Sequence, residues 1–331
     1  MNTATHEDRA DTPYAPGYPF QPSRPGKGVP DDPDGPLSWP PKKIYEYLDG
    51  KVWKQDEAKQ AAAMLAYNAL NRGIKTNAFF VGPTGCGKTH IWRCLQELYP
   101  QRIVIVDASS LTQDGWKGAT KWGDLLRDPI LQMDRPSILV MDEADKFLIP
   151  RHTSYGENVS HGVASEGLKI LEGTCVELTG KGYSTIVDTT LISFVCCGAF
   201  SERAAQLVKG QQKIGFGGAV TPPAAYEKPL TERDLLDYGV MPEFLGRIQQ
   251  VVNLAPMTEE DYFRMLDSPT GPIARLESRY RVEICLTEAK RRELAELAAN
   301  SGLGVRGVES QLRRLLDNAL FEDHTQRSLA F

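Results

Sequence analysis

The run Gly82-Pro83-Thr84-Gly85-Cys86-Gly87-Lys88-Thr89 constrains this chain more than any other stretch. It lies between an apolar strand-like run, Ala78-Phe79-Phe80-Val81, and a helical pattern that starts near Lys88. Glycines at 82, 85 and 87 let the backbone bend so that successive N–H groups point at one anion, and the helix N-terminus behind them adds its positive dipole end. Lys88 supplies a mobile charge for outer phosphates. Thr89 offers the hydroxyl that a phosphate-bound Mg²⁺ takes as a ligand. With Pro83, Thr84 and Cys86 inside the loop and His90 just past it, the segment is expected to bind ATP with Mg²⁺.

Strand-like runs recur between helical stretches after this loop: Ile103-Val104-Ile105-Val106, Ile138-Leu139-Val140-Met141, Ile192-Ser193-Phe194-Val195-Cys196 and Gln250-Val251-Val252. Short, nearly all-apolar strands alternating with helices predict an α/β fold, a parallel sheet covered on both faces. Beyond Ala255-Pro256 the pattern becomes mainly helical, with a lone strand expected over 280–286 and helices over 288–298 and 305–320. Residues 1–40 differ from the rest. Prolines at 13, 16, 19, 22 and 25, then 30, 33 and 36, set a polyproline beat with little to form a core. The expected organisation is therefore a proline-rich disordered arm over 1–40, a large nucleotide-binding domain over 41–254 and a small helical domain over 255–331.

A net charge of −5 argues against a general nucleic-acid surface. No apolar run reaches membrane-spanning length and the amino end lacks the order of a signal peptide, so no membrane is expected and the cytoplasm is the predicted location. The cysteines, at 86, 94, 175, 196, 197 and 285, form no C-x-x-C pair and read as reduced thiols. His90, His152 and His161 show no metal-ligand spacing.

The apolar run 138–141 ends in Asp142-Glu143. At the carboxyl end of a parallel strand beside the phosphate loop, Asp142 would hold the Mg²⁺ shell, and Glu143 would orient or deprotonate the attacking water.

Several further segments, in order, resemble the ClpX family of AAA+ protein unfoldases over about 43–321. These are Val52-x-x-Gln55-x-x-Ala58-Lys59, Asp107 to Thr112 with Gly115-Trp116-Lys117-Gly118, Glu166-Gly167-Leu168 with Leu171-Glu172-Gly173-Thr174, Cys196 to Phe200, Ile214-Gly215-Phe216-Gly217, Pro242 to Arg247, and Gly304-Val305-Arg306-Gly307. The resemblance implies an AAA+ ATPase domain with a small lid domain, working as a homohexamer on protein substrates threaded through a central pore. It implies that Arg247 is an arginine finger reaching into the neighbouring subunit's site, and that Arg306 touches nucleotide within its own subunit. Trp116 and Lys117 would line the pore and grip polypeptide. Ile214, Gly215 and Phe216 would dock on the peptidase ClpP. Two departures are plain: residues 1–40 hold no cysteines for the family's amino-terminal zinc domain, and the basic loop expected after Thr174 is reduced to Thr179-Gly180-Lys181-Gly182. A peptidase-independent remodeller of protein complexes and a nucleic-acid motor on the same fold are the alternative readings.

Overall fold

The computed structural model describes residues 35–112, 120–150, 158–180, 183–201, 228–300 and 304–331. Trp116, Lys117, Ile214, Gly215 and Phe216 lie outside these residues.

The central sheet consists of β1 (Ala78–Val81), β2 (Ile103–Asp107), β3 (Ser137–Asp142), β6 (Ile192–Gly198) and β7 (Gln250–Asn253). These strands lie in the order β2-β3-β6-β1-β7, and every neighbouring pair is parallel. Side chains alternate between faces along each strand. Phe79, Val81, Leu139, Met141, Phe194 and Cys196 enter one core. Ala78, Phe80, Ile138, Val140, Val195 and Cys197 enter a second core on the opposite face. Both faces are apolar because both are covered, which is why these strands read as nearly all-apolar runs.

The second core is closed by α1 (Pro41–Asp49), α2 (Asp56–Ala66) and α3 (Lys88–Leu98), where the indole of Trp92 packs edge-on against Phe80 at 5.2 Å between ring centroids. The chain is already part of this packing before residue 41, in contrast to the expectation of an arm through residue 40. Leu37 and Trp39 pack on the core, the Tyr99 hydroxyl donates to the Pro36 carbonyl at 3.0 Å, and Asn71 donates to the carbonyls of Leu37 and Trp39. Proline-rich text hides this because the anchoring is tertiary and follows no local period.

The first core is covered by the short helices α4 (Trp122–Leu125) and α5 (Asp145–Leu148), by α6 (Val159–Glu172), and by residues 230–248. An antiparallel hairpin, β4 (Cys175–Gly180) with β5 (Tyr183–Asp188), stands apart from the main sheet, in a region where no strand is expected from the sequence. Its inward side chains, Leu178 and Val187, are buried, while Ile186 is 60% exposed. Gly167 of α6 faces Trp122, whose indole N–H donates to the Val163 carbonyl at 2.8 Å. A Cβ at this position would overlap the indole ring. Gly167→Ala is expected to destabilise the fold by about 1–3 kcal/mol. Thermal melts check this, since each kcal/mol lowers Tm by about 2–4 °C in a unit of this size.

Residues 257–331 build a third core of their own, from Tyr262, Leu266, Leu276, Leu294, Val308, Leu312 and Leu316 among others. Its helices are Glu259–Leu266, Pro272–Tyr280, Glu288–Asn300 and Val305–Glu322. The strand expected over 280–286 is shorter, β8 (Glu283–Cys285), because Tyr280 ends a helix and Arg281 turns the chain with φ 55°. Nor is it alone. It pairs in parallel with β9 (Ser328–Ala330), which satisfies backbone groups that an isolated strand would leave unpaired. Among the described residues no helix is long and apolar enough to cross a membrane.

Candidate functional site

The strand order decides where the chemistry gathers. β6 separates β1 from β3, so the phosphate loop and the acids at the end of β3 open on the same carboxyl edge of the sheet. Gly87, at φ +104°, takes a backbone conformation that L side chains rarely adopt, and α3 begins at the next residue. Thr89 Oγ1 donates to Asp142 Oδ2 at 2.8 Å across the intervening strand. The other carboxylate oxygen of Asp142 accepts from the Glu143 N–H at 3.1 Å. Glu143 is exposed and sits at φ 55°, sparsely populated for a non-glycine residue. Such a conformation is kept where the surroundings over-determine it, and it is a recurrent mark of functional positions. Lys88 is buried, with its ammonium donating to the carbonyls of Gly82 at 2.7 Å and Pro83 at 2.8 Å.

These groups line a cleft of about 540 Å³, the size of a small-ligand site. Thr84, Gly85, Cys86, Gly87, Lys88, Thr89, His90, Asp142, Glu143 and Arg306 all reach it. Gly82 and Pro83 are not in its wall and contribute the carbonyls that hold Lys88. Burial pushes the Cys86 thiol up and keeps the His90 imidazole below its ordinary value, so both are neutral near pH 7. Cys196 and Cys197 are fully buried and burial raises both thiols, which suits inert core residues rather than redox sensors. Among the described residues no group of three His, Cys, Asp or Glu side chains is placed to hold a metal ion.

Arg247 is the exception in the set, because it does not line the cleft of its own chain. Its guanidinium pairs with Glu172 Oε2 at 2.8 Å and donates to the Glu243 carbonyl at 2.7 Å. Its backbone is fixed by Asn77, whose buried side-chain amide donates to the carbonyls of Arg247 at 2.9 Å and Leu171 at 3.0 Å.

The cleft also has walls that the motif text left unassigned. Trp53 follows Val52 of the segment between α1 and α2, and Met257, Thr270, Arg275 and Glu309 come from the third core region. Val52-x-x-Gln55 pointed to the first of these. The others stand more than 160 residues after the phosphate loop and carry no local signal.

Residues 74–251 match the family model described as "AAA domain (Cdc48 subfamily)", more than half of the chain. The chain belongs to this family. It is an ATPase, and its similarity is to the Clp branch. The ATP-dependent Clp protease ATP-binding subunit ClpX of Treponema denticola is 29% identical over 323 residues, covering 85% of this chain and 77% of that protein. ClpX 2 of Wolinella succinogenes is 29% identical over 315 residues, with the same coverage of each. ClpX of Borrelia duttonii is 28% identical, covering 85% and 74%. The chain is thus a ClpX-like AAA+ ATPase, with the parallel sheet and helical carboxyl-terminal region that the sequence predicts.

Proposed function

We propose that this ATPase uses ATP hydrolysis to pull protein substrates through the pore of a homohexameric ring. The single observation that carries this reading is the division of its catalytic groups. The phosphate loop, Asp142, Glu143 and Arg306 converge on one cleft, whereas Arg247 lies outside it. A ring supplies Arg247 to the next subunit's cleft, and the ClpX relatives are named as ATP-binding subunits of a Clp protease. In domain terms, 41–254 is the large ATPase domain and 255–331 a lid whose Arg306 faces the nucleotide.

The residues present fit a magnesium nucleotide. Thr89 Oγ1 and Asp142 Oδ2 already stand 2.8 Å apart at the end of the phosphate loop, and a hydroxyl with a carboxylate is the hard-oxygen donor set that such an ion takes. When bound, Mg²⁺ offsets charge on the phosphate oxygens. The loop N–H groups and Lys88 hold the phosphates, with Lys88 exchanging two neutral carbonyl acceptors for a charged one. Glu143 accepts a proton from, or orients, the water that attacks the terminal phosphorus. Arg306 and the neighbour's Arg247 neutralise the charge that develops as the phosphoryl group transfers.

Trp116 with Lys117 would grip the translocating chain, and Ile214, Gly215 and Phe216 would dock on ClpP. Single substitutions separate the two roles. Trp116→Ala is expected to leave ATP hydrolysis within about twofold of the parent while unfolding of a tagged substrate stops, because the grip is lost and the cleft is untouched. Phe216→Ala is expected to keep unfolding and lose only degradation coupled to ClpP, as for an aromatic anchor taken from a docking pocket. Unfolding assays with and without ClpP read both. Failure of the parent protein to associate with ClpP under ATP makes a stand-alone remodeller the better account. Salt-dependent binding of DNA with stimulated hydrolysis would instead indicate the nucleic-acid motor.

A further inference from the structure

The segment Val52–Gln55 faces two ways. Val52 and Trp53 line the nucleotide cleft, while the next two residues turn toward the start of the third core region. Lys54 and Gln55 are consecutive non-glycine residues at φ 56° and 64°. Left-handed backbone is unfavourable for residues with a Cβ, so surrounding contacts must hold it.

Those contacts are specific. Gln55 is 5% exposed, and its side-chain amide is used on both ends. The Nε2 group donates to the Cys86 carbonyl inside the phosphate loop at 3.2 Å and to the Ala255 carbonyl at 2.8 Å. The Oε1 atom accepts from the Ala255 N–H at 2.9 Å. Lys54 pairs with Asp261 at 2.7 Å and reaches the Pro256 carbonyl at 3.4 Å. Asp261 is locked to the start of its helix by a reciprocal cap with Thr258. Ala255 and Pro256 join Leu254, hydrogen-bonded to Val81 at the end of β1, to Met257, where the third core begins. One buried amide therefore touches both the phosphate loop and the peptide from which the carboxyl-terminal helices depart.

We infer that Gln55 is a positioning residue that couples the state of the phosphate loop to the seating of the carboxyl-terminal helices over the nucleotide. The inference deepens the nucleotide-cleft reading and rests on it. The Cys86 and Ala255 carbonyls share one NH₂ group, so a loop rearrangement that changes one hydrogen bond changes the geometry available to the other. Both hydrogen bonds to the Ala255 backbone are part-buried. The helices so seated carry Met265, Arg275 and Arg306 into the cleft wall.

Amide hydrogen exchange on the full chain, with and without Mg·ADP, tests the coupling. In the parent protein ADP is expected to protect the loop peptides over 82–90 and the junction peptides over 254–262 together. Gln55→Leu keeps similar bulk without hydrogen bonds. It is expected to retain loop protection and ADP affinity within about threefold, to lose junction protection, and to lower kcat by about tenfold. Gln55→Glu keeps the shape but sets a carboxylate against two carbonyls, and is expected to give the same split. If either folded variant keeps parental junction protection on adding ADP, the relay is overturned. Loss of loop protection and ADP binding in a folded variant overturns it too, since Gln55 would then serve the loop alone. An absence of loop protection in the parent protein would instead strike the nucleotide reading itself. Urea melts identify a variant that is merely unfolded, and the other variant then decides.

Discussion

Glu143→Gln is expected to leave ATP bound and to cut turnover by at least about a hundredfold, the lower end of what a positioned general base contributes. The substitution is isosteric but replaces the charged carboxylate with a neutral amide that cannot accept a proton. Everything that shapes the phosphate site stays in place: the Thr89–Asp142 hydrogen bond, the loop, and Lys88 on its two carbonyls. The φ of 55° at this position is a backbone property, and glutamine tolerates it as glutamate does. Lys88→Ala is expected to behave oppositely, losing binding itself, because it removes the mobile charge and leaves the Gly82 and Pro83 carbonyls without their donor. Equilibrium binding of a fluorescent ATP analogue with steady-state hydrolysis separates the two. Parental hydrolysis rates in both variants would overturn the assignment of the site. Proteins that stay bound to Glu143→Gln under ATP would also name the natural substrates.

Arg247→Ala is expected to abolish turnover, by about a thousandfold or more where such fingers operate in trans, without weakening nucleotide binding. The split follows from where the guanidinium sits. It is held by Glu172 and the Glu243 carbonyl, outside its own cleft. Nucleotide binding within one chain has nothing to lose when it goes. For the same reason ATPase activity of the parent protein is expected to rise more than linearly with concentration as rings form. Activity strictly proportional to protein from a species that elutes as a monomer would show that Arg247 acts elsewhere.

Local text is a guide to most of the groups that gather at the cleft. Gly82 to Thr89 is readable because a phosphate loop is one continuous piece of backbone, and Asp142-Glu143 because two acids close an apolar strand. The main strands were readable because burial on both faces leaves nearly all-apolar runs. The hairpin at 175–188 escaped because its strands mix inward apolar with outward polar residues and join no long apolar run. β9 escaped because three residues at the end of the chain show no period at all.

The loop, the acids, the sheet-forming segments and the switch to helical text after Ala255 are all legible in local residue order. Packing brings Thr89 to Asp142 across β6, sets Trp53 and Arg275 in one wall with the loop, carries Gln55 to Ala255, and leaves Arg247 outside the lining of its own cleft. The reason is physical. Turns, glycine conformations and alternation are fixed by neighbours a few residues apart and so leave a local trace. Strand order and the closure of one packed unit on another are fixed by contacts 50 to 200 residues apart, such as Thr89 with Asp142 and Gln55 with Ala255, and these write no period into either segment.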